Sequence, residues 1–348
     1  MITTPILACP LCGETKQAFH SEPLSNLYSE KMAMVTGEEE SVLLAHFHNV
    51  QCVSCGLVYK KEAYPDAVIQ SIFRDVVPDH PKGWDVMSGR FTADNFLIEL
   101  HAYALAIEQK NIEQINRYRR ALLSLVDSIY PHEPNSKLKK QLSDAIEQQD
   151  IRFIEEQAHQ LHQVMVQPMP FKRFSGFSAP ELWQYLTIKC GDVIEYDELG
   201  CPLWGLLAYA KSLGVDTQFV KRPELNYWSE NCRREGVHCI EWLSQQHRVS
   251  VKTWQDNRVD EKRQLVGFFQ YLDHLSRPDL FLDQIFQQYN SAAVILDGID
   301  EPVYIQHITG WTTKALEFVA SRYNKFMHTD FDLITPSGNR LYLFTDSR

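Results

Sequence analysis

The stretch VIEYDELGCPLWGLLAYAKSLG (Val193–Gly214) decides how the C-terminal half of the chain is read. Val193–Tyr196 predicts a buried strand and Leu203–Leu213 a helix, with glycines breaking the pattern between them. A strand that runs through a glycine turn into a helix opens an α/β sheet, in which ligands gather outside the carboxyl ends of the strands. Gly200 and Gly205 stand five apart, and no GxG pair follows the strand directly. Pro202 removes a backbone N–H that could hold an anion. The stretch occupies the place of a ligand loop without the usual chemistry of one.

Outward from it the alternation continues. Thr217–Val220, Val249–Lys252, Leu265–Phe269 and Ala293–Leu296 read as strands, and Glu224–Glu235, Leu280–Tyr289 and Thr312–Arg322 as helices. FMHTDFDLI and NRLYLFTD, joined by TPSGN, predict a closing antiparallel hairpin. Upstream, apolar residues recur at helical spacing from Thr92 to Tyr130 (Phe96, Leu100, Ala104, Ile107, then Ile115, Tyr118, Leu122, Leu125, Ile129), ending at Pro131. Leu138–Gln149 and Ile151–Val166 predict two more helices. His159 and His162 share a helix face there, and without a third ligand they read as solvated side chains.

The N-terminal region carries CPLCG (Cys9, Cys12) and CVSCG (Cys52, Cys55). Each CxxC turn aims two thiolates at one point about 2.3 Å away, and two such knuckles complete a tetrahedron with no open position. The spacing predicts a structural zinc ribbon clipping a segment too short for a core of its own. His46 and His48 read as one face of a strand from Val42 to Val50. Cys190, Cys201, Cys232 and Cys239 have no ligand spacing and read as buried or idle thiols.

With 348 residues and 44% hydrophobic content the chain can bury a large core. A net charge of −11 and the acidic GEEES at 37–41 argue against a coat for nucleic-acid phosphates. No apolar run reaches the roughly 20 residues of a membrane span, and the N-terminus has no signal-peptide pattern, so the expected location is the cytoplasm.

Together the paired CxxCG motifs flanking PLSN (Pro23–Asn26), the strand–loop–helix above and QYLDHLSRPDLFLDQI (270–285) resemble the class I S-adenosylmethionine-dependent methyltransferases with an N-terminal zinc-binding domain, several of which act on nucleotide-linked sugars. VILDGI (Val294–Ile299) is similar to the family's fifth strand, HITGWTTKALEFVASRYN to the following helix and SGNRLYLF to the final hairpin. The resemblance covers residues 5–60 and 185–348. It implies a Rossmann-like methyltransferase sheet with a C-terminal antiparallel hairpin. The expected division is a zinc ribbon over 1–75, an α-helical region over 76–170 and the Rossmann-like domain over 171–348.

The resemblance also assigns roles. S-adenosylmethionine would be held at Glu195, Gly200, Trp204 and Gly205. Tyr271, Asp273 and His274 take the place of a Tyr-x-Glu-His arrangement in the sugar C-methyltransferases, where a base removes the acceptor's proton. His307 and Trp311, after the fifth strand, would line an acceptor pocket. Two departures stand: the GxGxG loop is missing, and Lys221 replaces the acid that takes the ribose hydroxyls, with Glu224 three residues late. Two functions follow. One is methyl transfer to a small polar acceptor, a sugar nucleotide or polysaccharide precursor. The other is a catalytically inactive scaffold with a protein partner.

Overall fold

The computed structural model describes residues 3–25, 27–63, 92–129, 137–157, 179–200, 204–221, 233–234, 237–238, 244, 248–254, 262–269, 271–296, 304–305, 307–331 and 340–346. The N-terminal part comprises β1 (Thr4–Pro5), β2 (Gln17–Ser21), α1 (Leu27–Thr36), α2 (Glu40–His46), β3 (Asn49–Cys52), β4 (Val58–Lys60) and β5 (Glu62–Ala63). The expected strand over 42–50 is therefore mostly helix. Leu43 is the inward residue of α2, and His46 pairs with Glu62 at 2.9 Å instead of lying in a ladder.

Three helices follow, α3 (Thr92–Glu108), α4 (Ile112–Ile129) and α5 (Lys137–Gln148), and 151–157 begins a fourth. The apolar period from 92 to 130 is split at Lys110, whose positive φ of 55° turns the chain. Leu100, Tyr103, Ala106, Tyr118, Leu122, Val126, Leu142, Ile146 and Ile154 form a core of their own. His159, His162 and PHEPNS lie outside the described residues.

The main sheet lies in the C-terminal part, which comprises α6 (Ala179–Cys190), β6 (Glu195–Gly200), α7 (Trp204–Ser212), β7 (Asp216–Lys221), β8 (Ser250–Thr253), β9 (Arg263–Phe269), a 3₁₀ turn (Leu272–His274), α8 (Pro278–Gln288), β10 (Tyr289–Leu296), β11 (Thr309–Gly310), α9 (Thr313–Arg322), β12 (Phe326–His328) and β13 (Arg340–Thr345). Its order is β8-β7-β6-β9-β10-β13-β12. The first five strands are parallel, and β13 runs antiparallel between β10 and β12. This is a Rossmann-like, mostly parallel sheet with the expected antiparallel C-terminal hairpin. Chain order reverses between β6 and β9, which makes that crevice the switch point where ligands bind.

The first strand corrects the reading of its own loop. Asp197, Glu198 and Gly200 are not loop residues but the body and end of β6. Their charges are met inside the sheet. Asp197 accepts from Gln218 Nε2 (2.9 Å) and Tyr289 Oη (2.8 Å) and pairs with Arg263 (2.8 Å), while Tyr196 Oη donates to Glu198 (2.6 Å). Burial still pushes the Asp197 carboxyl above its usual range, against the pull of Arg263. Further differences are smaller. α8 ends at Gln288 and passes straight into β10, and Arg233–Arg234, expected to end a helix, form a strand pair with Val237–His238. The rest of the expected helix over 224–235 lies outside the described residues.

The N-terminal part is sewn onto this sheet. Its own sheet has the order β11-β4-β3-β2, so the fourth strand comes from Thr309–Gly310, some 250 residues along the chain. One apolar core runs from Leu11, Val50, Leu57 and Tyr59 through Trp311 and Leu316 to Phe268 and Val294.

Candidate functional site

Two clusters of ligand-type side chains are the groups among the described residues that could hold a metal ion: Cys9, Cys12, Cys52 and Cys55, and Asp273, His274 and His307, the ligand atoms of each within 4.8 Å of one another.

In the first, Cys9 and Cys55 sulfurs lie 3.5 Å apart, as do those of Cys12 and Cys52. Gly13 (φ 77°) and Gly56 (φ 81°) supply the left-handed residue after each knuckle, where the N–H of each glycine bonds the carbonyl of Cys9 or Cys52. Crowded thiols cannot all ionise. Cys9 is lowered to about 6 by its bond with Cys55, Cys55 is raised by the same bond, and burial pushes Cys12 up to about 11. A divalent cation removes that conflict by taking all four as thiolates, so the donor set, the convergence and the glycine turns fit a tetrahedral metal.

The knuckles are gripped from the other half of the chain. Thr312 Oγ1 donates to Gly56 O (3.1 Å) while accepting from Ala315 N as the N-cap of α9. Lys314 reaches Val53 O (3.0 Å) and Arg322 reaches Leu11 O (2.9 Å).

The second cluster sits at the carboxyl end of β9, beside the switch point. Gly200, the last residue of β6, is in register with Phe269, the last of β9. Two residues on, Tyr271 begins the 3₁₀ turn that carries Asp273 and His274. His307 arrives from the segment before β11. His307 Nε2 lies 3.1 Å from Asp273 Oδ2, and His274 Nε2 lies 4.0 Å from the same oxygen. The imidazole rings meet edge to face, with centroids 4.9 Å apart.

Backbone bonds fix the two segments against each other: Ile308 N donates to Asp273 O (2.7 Å) and Thr309 Oγ1 to Leu272 O (2.9 Å). The side chains of Asp273, His274 and His307 are 6%, 8% and 11% exposed.

The remaining expected site residues separate. Glu195 lies at the amino end of β6, where it pairs with Arg263 (3.1 Å), a strand's length from the ligand edge. Trp204 and Gly205 are the first residues of α7. Trp311 is 2% exposed and packs in the shared core, so its ring is a core element and not the wall of an open pocket. Tyr271, also buried, packs against Phe281 with ring centroids 4.9 Å apart and the rings tilted by 47°. Lys221 ends β7, in place of an acid. Residues 201–203 and Glu224 lie outside the described residues. Cys190 is a free, half-buried thiol, pushed up to about 11 by burial.

Sequence reasoning placed His307 in an acceptor pocket and missed its contact with Asp273. The signal was the β11 register, which no local pattern carries.

No family model matches the chain, and no curated protein does. Solved structures similar to it include magnesium protoporphyrin IX methyltransferase from Synechocystis PCC 6803 with bound SAH, 8% identical over 49% of this chain and 82% of that one, with a TM-score of 0.36. The N-terminal domain of EvdMO1 with SAH bound is 9% identical over 56% and 97%, TM-score 0.37. The methyltransferase domain of bacterial CtHen1 is 16% identical over 48% and 96%, TM-score 0.32. Likeness at this level says nothing about what the chain binds, and the strand order stands without it. No helix among the described residues is long and apolar enough to cross a membrane.

Proposed function

We propose that the chain is an S-adenosylmethionine-dependent methyltransferase acting on a small polar acceptor, with a sugar nucleotide or polysaccharide precursor as the expected class. The single observation that supports the reading is the meeting of Asp273, His274 and His307 at the carboxyl end of β9, next to Gly200. Bound in that crevice, the cofactor would supply a methyl group on a good leaving group, and only a proton would remain to be removed from the acceptor. His274 Nε2 would take that proton, with the Asp273 carboxylate stabilising the imidazolium. Gly200 and the amino end of α7 at Trp204 and Gly205 would hold the cofactor. In the same reading Cys9, Cys12, Cys52 and Cys55 carry a structural zinc.

The fit to the cofactor is uneven: the crevice and the imidazole of His274 support it, whereas Lys221 and the distant Glu195 do not. Those two placements support the second reading, an inactive scaffold that binds a protein partner. Calorimetric titration with S-adenosylmethionine and S-adenosylhomocysteine separates the two. The first reading expects micromolar binding, and silence at millimolar cofactor overturns it in favour of the second.

A further inference from the structure

We propose that Asp273, His274 and His307 form a second metal centre, which takes a divalent first-row cation and leaves positions open for an oxygen ligand. The inference rests on the methyl-transfer reading for its place at the ligand edge and changes one role in it, since an ion-bound His274 Nε2 holds the ion and no longer takes the proton, but the geometry that carries it does not depend on the cofactor.

Two imidazole nitrogens approach one carboxylate oxygen, at 3.1 and 4.0 Å. Metal–ligand bonds of about 2.0–2.2 Å set neighbouring ligand atoms about 3.0–3.5 Å apart. The His307 pair already has that separation, and the His274 pair needs to close by only about half an ångström to reach it. The first distance alone is that of an ion pair. The second exceeds any hydrogen bond, yet it places the second nitrogen around the same oxygen.

Chemistry and setting agree with the spacing. Two imidazoles and a carboxylate are borderline donors that suit mid-row cations such as manganese, iron, cobalt and zinc, and the trio leaves coordination positions open. The side chains are at most 11% exposed, so water competes weakly for the ion. They are also held in advance. His274 N bonds Tyr271 O (3.1 Å), His307 N bonds Tyr304 O (3.1 Å), and Ile308 N ties the second segment to Asp273 O (2.7 Å). A cation bound here stands at the ligand edge of the sheet, where it would bind an acceptor hydroxyl and lower that group's pKa. The proton then leaves to solvent or an adjacent base while the imidazoles hold the ion. The substrate class narrows accordingly to hydroxyl-bearing acceptors that can chelate or coordinate a metal through oxygen.

The test uses the full chain with its four-cysteine site filled with zinc and no cofactor added. It is titrated with Mn²⁺, following the free-ion electron paramagnetic resonance signal, and with Co²⁺ by equilibrium dialysis. One added ion per chain with a micromolar Kd is expected, and the spin-echo spectrum of the bound manganese should carry imidazole nitrogen couplings.

Asp273→Asn and His307→Gln should each weaken binding at least 10-fold, with far-UV circular dichroism unchanged. Absence of added metal at millimolar Mn²⁺ and Co²⁺ overturns the proposal. So does a bound ion without nitrogen couplings, a readout that needs no variant to fold. Because cofactor is absent throughout, failure of cofactor binding and failure of metal binding are read in separate experiments.

Discussion

The four-cysteine cluster and the Asp273–His274–His307 cluster lie on either side of the short strand β11, and they are assembled in opposite ways. The first is made of two self-contained turns, each with its own glycine and its own pair of sulfurs, which need only be brought together. The second is made of single residues from two segments, and its geometry exists only because β11 pairs with β4 and bonds the 3₁₀ turn. A closed sulfur site would contribute folding energy, whereas a buried trio of imidazoles and carboxylate with open coordination positions would contribute chemistry. The difference teaches that one cluster is the foundation of the other. The knuckles hold β4, β4 pairs with β11, and the residues just before β11 deliver His307.

That dependence can be broken at its base. Cys12→Ser, or removal of the metal by a chelator, should release zinc and cost at least about 5 kcal/mol, since binding to such sites is itself folding free energy of about 10–16 kcal/mol. At about 2 °C per kcal/mol for a large domain, the thermal midpoint should fall by about 10 °C. Metal analysis and circular dichroism check this; a folded, metal-free N-terminal sheet would sink the zinc assignment. If the foundation argument holds, the same variant also loses the manganese site, although none of its cysteines touches it.

The reverse experiment should be one-sided. His274→Ala is expected to lower methyl-transfer turnover by at least about 100-fold, the size of a lost proton acceptor. Its thermal midpoint and zinc content should stay close to those of the parent chain, because the described bonds that grip the knuckles from the other half of the chain come from Thr312, Lys314 and Arg322. Steady-state kinetics decides it, and unchanged turnover removes His274 from the chemistry.

The two clusters also differ in how much of them the sequence reveals. CPLCG and CVSCG state four ligands and their geometry within two pentapeptides, and the alternation from Val193 onward was enough for the parallel sheet and its closing hairpin. Asp273 and His274 were legible because they follow a strand at the ligand edge. The Asp273–His307 contact was not, because it depends on a strand register between Thr309 and Tyr59 that leaves no periodic trace. β6 was misread for a related reason. Asp197 and Glu198 look like loop residues by polarity, and only Arg263, Gln218, Tyr289 and Tyr196, most of them distant in sequence, make them tolerable inside a sheet.

A smaller effect grades the contact between the knuckles and α9. Gly13 and Gly56 share the left-handed conformation, but a methyl group on Gly13 meets open space, while one on Gly56 lies 3.0 Å from Lys314 Cβ and Thr312 Oγ1. Gly13→Ala should therefore cost only the backbone strain, about 1 kcal/mol, and Gly56→Ala about 2 kcal/mol. Equal losses in denaturant unfolding would mean that α9 does not press on the second knuckle, and the coupling between clusters would have to run through β11 alone.

The smallest expected effect calibrates the scale from a place remote from both clusters. Asp330, beyond β12, accepts from Tyr185 Oη (2.7 Å) and pairs with Lys189 Nζ (2.8 Å), tying α6 to the hairpin. The lysine holds its carboxyl down at about 2, with the tyrosine helping, against an ordinary 3.8. A lowered folded-state value means that the stabilisation is fully present above the unfolded pKa and is lost as the pH falls through the folded one. The parent chain should thus exceed Asp330→Asn in stability by a constant amount above about pH 5, and the difference should vanish near pH 2. Asp330 is 59% exposed, so solvent screens the pair and the difference should stay below about 1 kcal/mol. Neither zinc content nor manganese affinity should move with it. If either does, the hairpin transmits strain to the ligand edge through β13 and β10, and the knuckles are not the sole support of the second cluster.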